Sequence, residues 1–208
     1  MKDNNPLWKV HGIFATPIYV SHLDRSFTKK EKQFVENSKK DAYANLGNYI
    51  SKDKYVLNKP SFSNLKKDLL KQVDNYSKEV ICPENKIKLN ITQSWLNYTT
   101  KNQYHHEHSH SNSFLSGVLY IKANPELDKI HFHKDVSKGL NIKTKNFNSY
   151  NAPEWIFNTG DSMVILFPSY LVHSVKFKTE DNERISLAFN VFVKGKIGDY
   201  HSITELVL

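Results

Sequence analysis

From residue 86 onward the apolar residues recur with period two, in short runs divided by turn residues, and no helical stretch intervenes. The runs are KIKLNITQSWLNYTT from 86, SFLSGVLYIKA from 113, KIHFH, EWIFN, DSMVILF, HSVKFK and RISLAFNVFV, the last ending at Val193. Alternate residues of a strand face opposite sides of a sheet, so such runs predict half-buried strands. Turns are expected at Asn124-Pro125, Asn158 to Asp161 and Pro168-Ser169. Many successive strands without helices between them leave two solutions, a sandwich or a closed barrel-like core.

The first 85 residues read differently. Residues 12–23 (GIFATPIYVSHL) form an extended segment, and Thr28 with Glu31 three residues on is a helix start. That helix is expected to reach about Ala44. A second is expected from Ser63 to about Lys78, with Leu65, Leu69, Leu70 and Val73 at helical spacing. The expected architecture is mostly β with flanking helices (α+β), the helices packed on one side of a jelly roll. Residues 1–208 would make one domain, 1–85 supporting a core formed by 86–208. The polar stretch 134–152 is expected to be a surface excursion with a short strand at 140–144.

Composition excludes several classes of function. The single cysteine, Cys82, allows no internal disulfide and suits a reducing compartment. The N-terminal residues carry no signal-like apolar stretch and no apolar run could span a bilayer, so a soluble cytoplasmic protein is expected. The net charge of +8 would suit nucleic acid, yet only Arg25 and Arg184 of the 29 basic residues are arginine. Base and phosphate readers lean on arginine's planar fork, so nucleic acid is not the expected partner. In so lysine-rich a chain, a position that carries arginine asks for a reason.

The chemistry concentrates in residues 105–120, HHEHSHSNSFLSGVLY. His108 and His110 share a face if the backbone is extended, and neutral imidazole suits Fe, Zn, Cu or Ni. The bland reading is a polar loop in solvent. Glu107 offers a different pair with His105. Further on, His173 follows an apolar strand and a Pro-Ser turn, and Arg184 falls where a strand should be partly buried. A buried guanidinium needs an anion, and Ser186 on the same face can donate a further hydrogen bond. An internal Arg–carboxylate pair would satisfy Arg184 equally well. His131 and His133 are read as one face of a strand, although His133-Lys-Asp135 is a true H-x-D.

Two histidines at H-x-H, a later histidine and then Arg-x-Ser resemble the double-stranded β-helix Fe(II)/2-oxoglutarate dioxygenases. HSHSNSFLSGVLYI, GDSMVILFPSYLVHSV, RISLAFNVFVKGKIG and the opening IFATPIYVSHLD are similar to one such family, common in marine bacteria and their phages. The resemblance covers nearly the whole chain and would admit a phage-encoded protein. It implies that His108, His110 and His173 hold Fe(II), that Arg184 and Ser186 bind the far carboxylate of 2-oxoglutarate, and that Trp95, Asn97, Ser116, Tyr120 and Asn190 line the pocket. It implies oxygen as a further partner, with a small molecule or protein side chain as the substrate to be hydroxylated; oligomeric state is left open.

One departure stands out: the superfamily's second ligand is usually a carboxylate, and here it would be His110. Four strands separate the first ligand pair from the distal histidine in this architecture. Counting back from His173 favours His108/His110 over the alternative His133/Asp135, while His105/Glu107 stays open as a further alternative pair. The rival reading is a non-catalytic, cupin-like metal-binding or structural jelly roll. Such a protein would have no use for an Arg-x-Ser anion clamp.

Overall fold

The computed structural model describes residues 9–134 and 142–208. In chain order the elements are β1 (Tyr19–His22), α1 (Lys29–Lys40), β2 (Tyr43–Ala44), β3 (Tyr49–Ile50), α2 (Ser63–Tyr76), β4 (Ile87–Thr99), β5 (His105–His108) and β6 (Leu115–Lys122). There follow β7 (Lys129–His133), β8 (Glu154–Asn158), β9 (Met163–Pro168), β10 (His173–Val175), β11 (Arg184–Ile197) and β12 (Leu206–Val207). Among the described residues, no helix is long and apolar enough to cross a membrane.

Two antiparallel sheets face each other. The larger runs β1-β9-β6-β11-β4-β3-β2, with β12 added to β11, and the smaller runs β5-β10-β7-β8. Sheet faces follow the alternation along β11. Ile185, Leu187, Phe189 and Val191 join Leu65, Leu69 and Val73 of α2 in one core between the helices and the larger sheet. A second core, between the sheets, holds Val118, Tyr120, Ile165 and Phe167 against Ile130 and Phe132. The intervening β11 residues Arg184, Ser186 and Ala188 line a pocket on that inner side. The result is the double-stranded β-helix with helices on its outer face, and β6, β7, β8 and β9 lie between His110 and His173.

Several boundaries differ from the sequence expectation. α1 starts as expected: Thr28 Oγ1 accepts the Glu31 N–H at 3.2 Å, and Glu31 Oε2 accepts the Thr28 N–H at 2.7 Å. It stops at Lys40 rather than Ala44, because Tyr43 and Ala44 pair with Ile50 and Tyr49 across a turn where Gly47 takes φ +91°. Tertiary pairing outweighs helix propensity there. Of the extended segment 12–23 only Tyr19–His22 is a strand, the part that reaches β9. α2 ends at Tyr76 and passes into a π-turn, Ser77–Ile81, closed by Cys82 at φ 47°. Of HSVKFK, only His173–Val175 pairs. The strand expected at 140–144 lies partly outside the described residues, and 142–144 are not in a strand.

Candidate metal centre

β5 and β10 bring the histidines together. His173 sits opposite His108 in the antiparallel register, and His110, just past β5, is tied down by its N–H to Ser169 O at 2.9 Å. His108, His110 and His173 each offer one ring nitrogen, all within 4.8 Å of one another. Their ring centroids are 4.3, 5.0 and 5.2 Å apart.

Two of the three rings are oriented by backbone carbonyls. His108 Nδ1 lies 2.8 Å from His106 O, and His173 Nδ1 lies 3.0 Å from Leu171 O. A carbonyl only accepts, so both Nδ1 atoms carry the hydrogen and both Nε2 atoms keep a lone pair for an ion. Burial disfavours the imidazolium. It pushes His110 down to about 4 and His173 down to about 3, with neighbouring His108 adding to both, and it lowers His108 as well. Near neutral pH the three rings are therefore ready ligands that need lose no proton. This donor set, neutral nitrogens on three sides, fits a first-row divalent metal and leaves its charge uncompensated.

The two arginines have opposite surroundings. Arg25 grips Glu31, a carboxylate only 1% exposed, through Nη2 at 2.6 and 2.7 Å. Arg184 is 5% exposed, and among the described residues no acceptor reaches its Nε or Nη1. Its guanidinium instead lies over the Tyr120 ring, 5.1 Å from the centroid. Tyr120 is fully buried, its phenol likewise lacks a partner, and burial raises its ionisation while the Arg184 charge draws it back. Ser186 stands two residues along the same face, paired with Asn97 of β4, whose Oδ1 is another buried atom without a donor. A buried cation among unmatched polar atoms costs free energy unless an anion joins it, and a carboxylate fits that need.

The other expected residues divide by position. Trp95, Asn97 and Ser116 line the pocket with the three histidines, Arg184 and Ser186. The Trp95 ring lies 5.6 Å from that of His110. Tyr120 lies beneath Arg184, and Asn190 stands behind Ser116, accepting its hydroxyl at 3.3 Å. His105 also lines the pocket, but Glu107 does not: its side chain is 61% exposed and lies 3.7 Å from His133 on the outer face of the smaller sheet. There His133 Nε2 meets Ser174 Oγ at 2.8 Å. Glu107 of the alternative pair His105/Glu107 is thus turned away from the pocket; of the pair His133/Asp135, His133 stands on the outer face and Asp135 lies outside the described residues. Sequence reasoning had no means to enlist His106, whose ring packs 4.9 Å from that of His108.

The free space among these side chains is about 30 Å³, room for a water or two rather than for a five-carbon diacid. His105 stacks on His108 at 4.5 Å and lines the pocket with Arg184.

A family described as "Putative 2OG-Fe(II) oxygenase" matches residues 93–190. No curated protein matches the chain. Among solved structures, an oxidoreductase of the 2OG-Fe(II) oxygenase family from Burkholderia pseudomallei is 14% identical, covering 83% of each chain with a TM-score of 0.54. HygX from Streptomyces hygroscopicus, solved with nickel, 2-oxoglutarate and hygromycin B, is 13% identical, covers 85% of this chain and 82% of its own, and gives a TM-score of 0.58. A Pseudomonas putida prolyl-4-hydroxylase is 10% identical, covers 84% and 92%, and gives 0.55. At these identities the structural likeness speaks for the fold. The 2OG-Fe(II) oxygenase family model thus matches the β-helix core of this chain, residues 93–190, and the solved 2OG-Fe(II) oxygenases share its fold.

Proposed function

We propose that the protein is an Fe(II)- and 2-oxoglutarate-dependent oxygenase that hydroxylates a substrate still to be identified, using O₂ and releasing succinate and CO₂. The reading takes residues 1–208 as one domain, in which α1 and α2 brace the outer face of the core. His108, His110 and His173 would hold the iron, and Arg184 with Ser186 would hold the far carboxylate of 2-oxoglutarate. Iron in such a set supplies the oxygen chemistry, and the chain supplies position and dryness.

What the chain's residues contribute follows from their placement. The His106 and Leu171 carbonyls fix two imidazoles in the ligating tautomer. Arg184 and Ser186 would hold one end of a diacid, and their place in the same pocket as the histidines would orient its other end toward them. Phe167, Val118 and Ala188 close the walls and exclude water. The observation that carries this reading is the contrast between the arginines. Arg25, 21% exposed, has its carboxylate inside the protein, while Arg184, only 5% exposed beside the triad, has none among the described residues.

The fold alone does not select hydroxylation, since its relatives include the prolyl-4-hydroxylase and the epimerase SnoN from nogalamycin biosynthesis. Anaerobic titration with Fe(II) and then 2-oxoglutarate is the test of the cofactor reading. A visible charge-transfer band that is lost in His108→Ala is expected. Its absence from folded, iron-loaded protein would favour the non-catalytic jelly roll and withdraw every role above.

A further inference from the structure

β5 does not pair evenly with β10. His173 faces His108 and Val175 faces His105, so three residue steps on β5 answer two on β10. This β-bulge breaks the alternation that would otherwise send neighbouring side chains to opposite faces. His105, His106 and His108 converge as a result. Each offers a ring nitrogen within 4.8 Å of the other two. Their centroids are 4.5, 4.9 and 5.2 Å apart, the same span as in the first triad.

We propose that His105, His106 and His108 form a second divalent-metal site that shares His108 with the first triad, so that the protein holds one ion in either of two places. Sharing makes the sites exclusive. His108 Nδ1 is engaged by the His106 carbonyl, which leaves a single nitrogen, and two cations cannot both take its lone pair. His106 Nδ1 is buried without a hydrogen-bond partner among the described residues, as a nitrogen awaiting an ion would be. Glu107, the one carboxylate in the run, points outward to His133, so the second site is all imidazole. Like the first triad, such a set binds Ni²⁺, Cu²⁺ and Zn²⁺ more tightly than Fe²⁺. An ion there also engages His105, which lines the pocket with Arg184, so metal in the second site would draw on the pocket wall while emptying the first.

The test uses Zn²⁺ alone, by equilibrium dialysis of metal-free protein, and does not depend on any activity. Wild type is expected to bind one equivalent. His110→Ala/His173→Ala, which destroys only the first triad, is expected to keep one equivalent and to lose it when His106→Ala is added. Two equivalents in wild type would overturn the sharing. A folded double variant that binds no ion, or one whose binding ignores His106→Ala, would overturn the site. If the double variant fails to fold, His110→Ala with and without His106→Ala gives the same comparison. A missing 2-oxoglutarate charge-transfer band with intact Zn²⁺ binding would defeat the oxygenase reading and leave the second site standing.

Discussion

Arg184 rests its guanidinium on the face of Tyr120, 5.1 Å from the ring centroid, and so keeps a buried positive charge without a carboxylate partner among the described residues. Cation–π contact offsets part of the desolvation cost and leaves the Nε and Nη1 hydrogens unmet. Lysine cannot reproduce the planar fork. Arg184→Lys is expected to weaken 2-oxoglutarate binding by about 10- to 150-fold, the worth of ~1.5–3 kcal/mol for hydrogen bonds to charge. Iron retention should stay unchanged, since Arg184 is not among the converging histidines. Calorimetric titration of the iron-loaded variant measures the first quantity and dialysis the second; unaltered cosubstrate affinity would remove Arg184 from the role.

What could be read from the residues alone follows their spacing. Period-two alternation located β4, β6, β7, β8, β9 and β11, and it placed Arg184 and Ser186 on one face, because these strands are regular. It could not foresee that β5 bulges, and so His106 escaped notice. Adjacent residues of a regular strand diverge, and nothing in HHEHSH announces the extra residue. The end of α1 was missed for a similar reason: the β2–β3 ladder that stops it is made by residues that themselves tolerate helix. Long-range ion pairs such as Lys178–Asp128, fifty positions apart, are chosen by packing and leave no local signature.

Acid should loosen the metal-free protein through its buried histidines. Burial pushes His105 down to about 2, His173 to about 3 and His110 to about 4, all below the ordinary imidazole value near 6.5. Between about pH 6.5 and pH 4 the unfolded chain takes up protons that the folded chain refuses. Stability is therefore full above about 6.5 and falls as the pH drops, by about 1.4 kcal/mol per pH unit for each such histidine. Urea midpoints of EDTA-treated protein should be flat from pH 8 to 7 and decline below. His110→Gln should decline less steeply, by one proton; an identical slope would show that His110 is not held neutral by the fold.

A buried ion pair braces the end of the barrel next to β11. Lys178 Nζ lies 2.7 Å from Asp128 Oδ1, both side chains almost wholly buried. Asp128 Oδ2 accepts the Asn124 N–H at 2.8 Å and an Asn182 amide hydrogen at 2.9 Å. Removing one partner strands the other charge in a dry site. Lys178→Met should thus cost ~3–5 kcal/mol, while removing both charges should cost less. Comparing urea unfolding of Lys178→Met with Lys178→Met/Asp128→Asn checks this. A double variant less stable than Lys178→Met alone would mean the groups do not depend on each other.

Gly117 owes its place to Phe189. The two face each other across β6 and β11, and a methyl group on Gly117 would come within 2.2 Å of Cζ of the Phe189 ring. That ring is fully buried between the sheet and the helices, so it has no easy exit. Gly117→Ala is expected to cost on the order of 1–3 kcal/mol through overpacking. The neighbouring residues Ser116 and Val118 line the metal pocket from the same strand, so a shift of β6 would also reach the site. Phe189→Leu alone should destabilise by leaving a cavity, yet the shorter side chain makes room for the added methyl. The double variant Gly117→Ala/Phe189→Leu should accordingly be more stable than the two separate costs added together. Denaturant midpoints of the four proteins in this cycle decide the matter, and strictly additive costs would mean that something other than the Phe189 ring excludes a side chain at position 117.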